Sequence, residues 1–207
     1  MPSLLGLVPR LLPRPRATSG GDRVVVLLHG TGSEPGVFHK LARALRAHDI
    51  RPLALAYGRR GTEDLDRSVE DIERRLLQIE APTLDIVGHS LGGLLALRLA
   101  HRPALRGRIG TIVGLGAAWR GVPDHGSHRL TKKVLGESFV QVKTTEPFPA
   151  EVPEGVTIVS IVSDADKVVP SWSSRLGHVI ELTGVSHSRL LHEVPVVLAS
   201  LGVRARP

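Results

Sequence analysis

The segment 84–97 constrains the fold of this chain more than any other. An apolar run at 84–87 is followed by the turn sequence GHSLGG at 88–93, and then by a second apolar run that is typical of a helix. Glycines on both sides of Ser90 indicate a strained backbone with close neighbours, because a Cβ atom there would clash. The pattern predicts a strand, a sharp turn and a helix, with the Ser90 hydroxyl raised clear of a sheet.

The length and composition are typical of a single globular domain. The chain has 207 residues, which is enough for one well-packed core and too few for two ordinary domains. Aromatic residues make up only 3% of the chain, so Leu, Val, Ile and Ala must build the core. The absence of cysteine from the sequence excludes disulfides and Cys-ligated metals.

The formal net charge of +7 raises the question of a polyanionic partner. The arginines alternate with acidic residues, as in EDIERR at 70–75, which favours a solvated surface. The sequence carries no signature of a nucleic-acid-binding module. We therefore expect no nucleic-acid partner, and the pattern predicts no particular oligomeric state.

Apolar runs typical of buried strands alternate with segments of helical periodicity. Strands are predicted at 23–28, 52–56, 84–87, 109–115, 156–162 and 179–182, and helices at 37–48, 65–79, 91–100 and 190–201. This alternation predicts a single-domain α/β fold over 22–207, with a mostly parallel six-stranded sheet and helices on both faces. The segment 116–155 is predicted to be irregular, with one weak helical piece near 130–135, and is the candidate rim or lid.

Residues 1–21 are predicted to form a poorly ordered extension. Prolines interrupt their short apolar pieces, and arginines follow those pieces rather than precede them, unlike a secretory signal peptide. No apolar run approaches the ~18 residues that span a bilayer. We expect a cytoplasmic protein, with secretion as the alternative. A weak contact of this Leu/Arg segment with a lipid surface is the alternative to a plain tail.

Ser90 can act as a nucleophile only if a base removes its proton, and the usual base is a histidine held by a carboxylate. Asp164 and Asp166 compete for the role of the carboxylate. Both lie in the sequence SDADKVVP, which follows the fifth predicted strand. The carboxyl ends of parallel strands are where such sheets carry their functional groups. Either aspartate could instead be a solvated turn residue, and Asp164 in particular could cap the following turn.

His187, in the sequence GVSHS after the sixth predicted strand, is the candidate base. His178 begins that strand and His192 lies within the predicted closing helix, so both are worse placed for proton transfer. A lone histidine is more often structural than catalytic. A histidine downstream of a strand-end aspartate and of Ser90, however, fits the chain order of a Ser-Asp-His triad.

Acyl transfer also needs hydrogen-bond donors for the negative charge that develops on the carbonyl oxygen. We expect one donor to be the N–H of Leu91 and the other to be the N–H of Thr31, within HGTGS at 29–33. A glycine-rich turn could also hold a phosphate group. A dinucleotide site would need the spacing G-x-G-x-x-G and a later acidic residue, whereas Tyr57 stands at the position of that acid.

The chain resembles the α/β-hydrolase superfamily, and in particular its small bacterial triacylglycerol lipases and carboxylesterases. The resemblance covers residues 23–201 and rests on HGTGS at 29–33, AYGRRGT at 56–62, GHSLGG at 88–93, GLGAAWRG at 114–121, SDADKVVP at 163–170 and GVSHSRLL at 184–191. It implies an α/β-hydrolase fold with a minimal cap. It also implies that Ser90 is the nucleophile, Asp166 the acid and His187 the base, with Thr31 and Leu91 as the oxyanion donors.

This resemblance implies a serine hydrolase that cleaves carboxylic esters of small molecules or lipids through an acyl-enzyme, with no cofactor. Thioester hydrolysis and acyl transfer are alternatives, because the fold and the triad do not determine the leaving group. A catalytically silent binding protein is a further alternative.

Two further features of the segment 116–155 have a possible role at a site. Asp124, His125 and His128 lie close together and could hold a metal ion, but solvated histidines are the more common explanation, so no metal site is expected. Trp119 follows the fourth predicted strand closely, where a side chain either lines a pocket or packs in the core.

Overall fold

The computed structural model describes residues 23–124 and 136–203. The predicted extension at 1–21 and the predicted helical piece near 130–135 lie outside the described residues.

A six-stranded sheet organises the described part of the chain. Its strands follow the order β2-β1-β3-β4-β7-β8, and every neighbouring pair is parallel, as the alternation of strands and helices predicted. The strands of this sheet are β1 (Val24–Leu28), β2 (Arg51–Leu55), β3 (Leu84–His89), β4 (Ile109–Leu115), β7 (Thr157–Ser163) and β8 (His178–Leu182). A separate two-stranded pair is formed by β5 (Val122–Pro123) and β6 (Lys143–Thr144).

Helices cover both faces of the sheet, also as predicted. Within the described residues they are α1 (His39–Ala47), α2 (Gly58–Gly61), α3 (Leu65–Leu77), α4 (Leu91–Ala100), α5 (Glu137–Gln141), α6 (Ser171–Ser174) and α7 (Val194–Ser200). Three 3-10 helices accompany them at Pro35–Phe38, Pro103–Leu105 and His187–His192.

The strand β1 shows why both faces need helices. Its alternate side chains Val24, Val26 and Leu28 belong to the buried cluster that includes α3 and α4. Val25 and Leu27 point the opposite way, into the cluster that includes α1 and α7. Because successive side chains of a strand face opposite sides, a strand that is buried on both faces must be apolar throughout.

Two predicted helices differ from those observed. The predicted helix at 37–48 begins with the 3-10 turn Pro35–Phe38, and only His39–Ala47 is α-helical. The predicted closing helix at 190–201 is two elements, the 3-10 helix His187–His192 and α7. Pro195 lies in the first turn of α7, where it lacks an N–H and restricts the preceding residue, so the helix cannot continue backwards.

The described parts of the segment 116–155, residues 116–124 and 136–155, are less irregular than predicted. They contain the parallel pair β5 and β6 and the short helix α5, which follows the predicted position of a helical piece. Strands of two residues carry no detectable periodicity in a sequence, so no pattern could predict them.

No helix within residues 23–124 and 136–203 has the length and the apolar character that crossing a membrane requires.

Candidate active site

Ser90 occupies a strained turn between β3 and α4. Its backbone has φ 54° and ψ −120°, outside the helical and extended regions that non-glycine residues favour. The flanking glycines explain how this turn fits against the sheet. A Cβ atom at Gly88 would lie 2.5 Å from the carbonyl oxygen of Gly92, and one at Gly92 would lie 2.1 Å from the carbonyl oxygen of Leu28. The predicted sharp turn is therefore present, and these two glycines are required by sterics.

Backbone hydrogen bonds attach the Ser90 turn to the neighbouring strand and to the loop that follows it. The Ser90 N–H donates to the Leu115 carbonyl at 3.0 Å, at the end of β4. The Ser90 carbonyl accepts from the N–H of Gly93 at 3.1 Å and from the N–H of Ala118 at 3.3 Å. These bonds on both sides of the serine offset part of the strain of its backbone.

Asp166 and His187 form a buried pair at the carboxyl ends of β7 and β8. The Oδ2 atom of Asp166 lies 2.7 Å from the Nδ1 atom of His187, and the two side chains are 4% and 10% exposed. The Oδ1 atom accepts from the N–H groups of Val168 at 2.8 Å and Val169 at 3.0 Å. Burial alone would raise the pKa of Asp166, but the contact with His187 and these N–H donors together hold that pKa below its usual value.

Asp164, the other candidate acid, has a different environment. Its exposed side chain accepts hydrogen bonds from the Gly184 N–H at 2.7 Å and from the Ser163 hydroxyl at 3.4 Å. Asp164 thus connects the loops after β7 and β8, while Asp166 meets the histidine. Of the other histidines, His178 begins β8 and is exposed, and His192 ends the 3-10 helix that His187 begins.

Gly116 makes room for the acid–histidine pair, a role that sequence reasoning missed. It follows β4 with φ +50°. A Cβ atom there would lie 2.7 Å from Oδ2 of Asp166 and 2.9 Å from Nδ1 of His187. Any side chain would therefore displace the pair, and the local sequence gives no sign of this because the three residues come from distant parts of the chain.

His89 is a second residue that sequence reasoning missed. It is buried beside Ser90, and its Nε2 atom lies 3.1 Å from the His187 carbonyl oxygen. The two imidazole rings are 4.6 Å apart at 42°. Nδ1 of His89 has no partner among the described residues, which fits a neutral ring that donates through Nε2. Burial, together with the adjacent His187, lowers the pKa of His89 to about 3.

The glycine-rich loop at 29–33 lies beside Ser90. A Cβ atom at Gly30 would lie 3.1 Å from the Cβ of Ser90, so the predicted donor Thr31 follows a direct neighbour of the serine. Leu91, the other predicted donor, begins α4, and the first N–H groups of a helix have no partner within the helix. Both predicted oxyanion donors are therefore on elements that flank Ser90.

Tyr57 packs against His29, the first residue of this loop. The His29 Nδ1–H donates to the Gly30 carbonyl at 2.9 Å, and its ring stacks on Tyr57 with 4.3 Å between centroids. The Tyr57 hydroxyl donates to the His29 carbonyl. Burial lowers the pKa of His29 to about 4 and raises that of Tyr57, so both side chains are neutral near pH 7.

Trp119 packs in the core rather than lining a pocket. Its side chain is fully buried, and Nε1–H donates to the Ser160 hydroxyl at 3.0 Å. A Cβ atom at Gly114 would lie 2.2 Å from its ring. Of the metal candidates, His125 and His128 lie outside the described residues. The described part of the chain contains no group of three potential His, Cys, Asp or Glu ligands.

The chain matches a known protein family over its N-terminal and central parts. Residues 25–142, more than half of the chain, match the model of the Alpha/beta hydrolase family. The match includes the turn at Ser90 and ends before Asp166 and His187. No curated protein sequence matches the chain.

Solved structures with the same fold include proteins of several activities. The type II thioesterase BorB from the borrelidin biosynthetic cluster is 20% identical, with a TM-score of 0.70 over 94% of this chain and 97% of that chain. The putative non-heme bromoperoxidase BpoC from Mycobacterium tuberculosis is 16% identical, with a TM-score of 0.68 over 90% and 95%. A monoacylglycerol lipase from Paleococcus ferrophilus is 17% identical, with a TM-score of 0.60 over 86% and 94%.

At these identities the solved structures show a shared fold alone, and the family match is the more specific finding. Because that match covers more than half of the residues and includes the Ser90 turn, this chain belongs to the alpha/beta hydrolase family.

Proposed function

We propose that this protein hydrolyses carboxylic esters through an acyl-enzyme on Ser90. The observation that carries the proposal is the 2.7 Å contact between Asp166 and His187, buried at the same sheet edge as the Ser90 turn. The family match shows that the chain belongs to the alpha/beta hydrolase family, and the ester as substrate is our inference.

In the proposed reaction, His187 takes the Ser90 proton as the serine oxygen attacks the ester carbonyl. Asp166 holds the imidazole so that its Nδ1–H faces the carboxylate and its Nε2 accepts the proton. Because the pKa of Asp166 is lowered, its carboxylate stays charged near pH 7 and stabilises the imidazolium that forms.

The tetrahedral intermediate then collapses, with His187 giving its proton to the departing alcohol. Water attacks the acyl-enzyme by the same route, and His187 again serves as base and then as acid. The N–H groups of Thr31 and Leu91 are the proposed donors to the oxyanion, since Thr31 follows a neighbour of Ser90 and Leu91 begins the helix after it.

Two exposed apolar side chains that follow Asp166 in the chain favour a substrate with an apolar acyl group. Val168 is 48% exposed and Trp172 is 41% exposed, and both follow Asp166 within the same loop and helix. Thioester hydrolysis is the second candidate, because a structural relative is described as a type II thioesterase. Initial rates with p-nitrophenyl esters of increasing chain length and with acyl-CoA thioesters separate the two candidates.

Labelling with a fluorophosphonate probe, followed by mass spectrometry, tests the nucleophile. We expect a single adduct on Ser90, and we expect Ser90→Ala to lose the adduct and to lower kcat roughly 10⁴-fold or more. Ser200→Ala, which removes a hydroxyl from α7, is the matched control and should leave both unchanged. An adduct on another residue, or unchanged ester hydrolysis by Ser90→Ala, would contradict the proposal.

A further inference from the structure

The four residues of α2, Gly58–Gly61, form a left-handed turn that includes two non-glycine residues. Gly58, Arg59, Arg60 and Gly61 have φ values of 52°, 46°, 70° and 69°. The turn is closed by the Gly61 N–H, which donates to the Tyr57 carbonyl at 3.0 Å. The left-handed conformation is unfavourable for arginine because its Cβ approaches the backbone carbonyl, and two such residues in succession are uncommon.

This left-handed turn lies directly against the glycine-rich loop at 29–33. The Arg60 Nη2 atom donates to the Gly32 carbonyl at 2.8 Å. The Arg60 Nε atom lies 3.3 Å from Oε1 of Glu34, the residue that follows the loop. The guanidinium of Arg60 therefore contacts the loop at Gly32 and also contacts the residue that follows the loop.

The backbone of the turn approaches the same loop. A Cβ atom at Gly61 would lie 3.1 Å from the Gly30 carbonyl oxygen and 3.5 Å from Cα of Thr31. The turn thus approaches Thr31 at Gly61, and Arg60 binds the carbonyl of Gly32, the residue after Thr31. Both contacts are therefore made within one residue of Thr31.

The loop itself has little intrinsic rigidity at Thr31. Glycines precede and follow Thr31, and Gly32 has φ +69° with open space at its Cβ position. The loop's own backbone bond, from the Ser33 N–H to the Gly30 carbonyl, is long at 3.3 Å. Because glycine is conformationally free, the sequence around Thr31 does not by itself restrict the direction of its N–H.

Stability alone is a poor explanation for the strained Arg60. Its ion pair with Glu34 is partly solvated, since the side chains are 33% and 26% exposed, and such pairs contribute little to folding. Strained backbone at non-glycine residues persists where the surrounding structure holds it, and it is concentrated at functional sites.

We propose that Arg60 is a positioning residue for the oxyanion hole, holding the Gly32 carbonyl and Glu34 so that the Thr31 N–H points to the reacting carbonyl oxygen. This inference rests on the proposed ester hydrolysis at Ser90. Arg60 does not touch the substrate, so it acts on the rate through the loop at 29–33.

The variant Arg60→Gly separates positioning from stability. Glycine adopts the left-handed conformation without strain, so the fold should be as stable as the wild type, while the contacts with Gly32 and Glu34 are lost. We expect kcat to fall roughly 10- to 100-fold with KM close to that of the wild type, because a displaced oxyanion donor acts on the transition state.

Arg59→Gly is the matched control because it relieves the same backbone strain one residue earlier. The Arg59 side chain is exposed. The Thr62 hydroxyl donates to the backbone carbonyl of Arg59, which glycine also has. This variant should keep the wild-type kcat. Arg60→Lys, which keeps the charge but not the planar guanidinium, should restore part of the lost kcat.

A second measurement follows the loop without using activity. Hydrogen exchange of the amides at 29–34 should be faster in Arg60→Gly than in Arg59→Gly, while Tm should be the same in both. A wild-type kcat or unchanged exchange in Arg60→Gly would overturn the Arg60 proposal. If the wild-type protein hydrolyses neither esters nor thioesters, the proposed function fails, whereas faster exchange in Arg60→Gly still supports its contact with the loop.

Discussion

Asp164 and Asp166 show how strongly the environment of a single residue determines its role. Both lie in the same short loop after β7, yet Asp166 is buried against His187 and Asp164 is exposed and bound to the Gly184 N–H. A carboxylate that is buried, hydrogen-bonded and paired with a histidine can orient that histidine, whereas an exposed one stabilises a loop.

Replacement of these two aspartates by asparagine should give opposite results. We expect Asp166→Asn to lower kcat roughly 10³- to 10⁴-fold, since the amide favours the wrong histidine tautomer. Asp164→Asn should change kcat by less than about 3-fold and lower stability by about 1 kcal/mol through a weaker bond to Gly184. Steady-state kinetics and urea unfolding of both variants check this, and similar losses of kcat in the two would contradict the assignment.

The element that places Ser90 is a strand–turn–helix unit in which α4 packs closely onto the sheet. Gly92 lies so near to the end of β1 that a methyl group would overlap the Leu28 carbonyl oxygen. At Gly93, the next residue, an added Cβ would lie 2.3 Å from the Cβ of Ala117. The end of β1 and the loop after β4 therefore both approach the start of α4 so closely that a side chain larger than hydrogen does not fit at Gly92 or Gly93.

We expect Gly92→Ala to destabilise the protein by more than about 3 kcal/mol, because the sheet and α4 must separate to admit the methyl group. Gly110→Ala, in β4, is the matched control. Among the described residues, its Cβ would have only the Asp85 carboxylate within 4 Å, at 3.3 Å, so its cost should be below about 1 kcal/mol. Urea denaturation measures both values, and equal costs would contradict the packing argument.

At the scale of the whole molecule, two neutral imidazoles are enclosed beneath the site. His29 and His89 come from the ends of β1 and β3, and both are almost fully buried. Burial lowers their pKa values to about 4 and about 3, against 6.5 for a free histidine. The folded protein therefore remains unprotonated at these positions over a range in which the unfolded chain binds protons.

As the pH is lowered, the free energy of unfolding should accordingly decrease before the carboxylates begin to bind protons. Below pH 6.5 the unfolded state gains protons that the folded state excludes, so each histidine removes up to about 1.4 kcal/mol per pH unit until its folded pKa is reached. The folded state lowers the pKa of Asp166 below the 3.8 of a free aspartate, so the ionised carboxylate stabilises the fold at higher pH. This stabilisation is lost only as the pH falls through 3.8 and below.

The variant His89→Gln tests the acid sensitivity. Glutamine can keep a donor to the His187 carbonyl but cannot titrate, so the free energy of unfolding should depend less steeply on pH between 6.5 and 4 than in the wild type. Urea unfolding at several pH values gives both curves. Parallel curves would mean that His89 does not contribute to the pH dependence of the free energy of unfolding.

Local patterns predicted the elements whose signal is carried by consecutive residues. The apolar runs gave the six main strands, and α4 has the predicted bounds at Leu91–Ala100. Prediction failed at two places: β5 and β6 are too short to show a period, and the predicted closing helix ran through Pro195, which divides it.

The candidate site residues that the sequence predicted also carry a signal in the residues next to them. Ser90 stands within a motif, and Asp166 and His187 each follow a strand, so their chain order predicted a site even though Asp164 remained a rival. Gly116 and His89 had no such signal, because each is defined by what it contacts from another part of the chain.

By itself, the sequence determined the alternation of strands and helices and the strained turn at Ser90, because both depend on side-chain periodicity and on glycines adjacent in the chain. Only the tertiary structure decided that Asp166 rather than Asp164 meets His187, and that Arg60 contacts the loop before Glu34. Those contacts join residues far apart in the chain, so their geometry arises only once the parallel strands bring their carboxyl ends together.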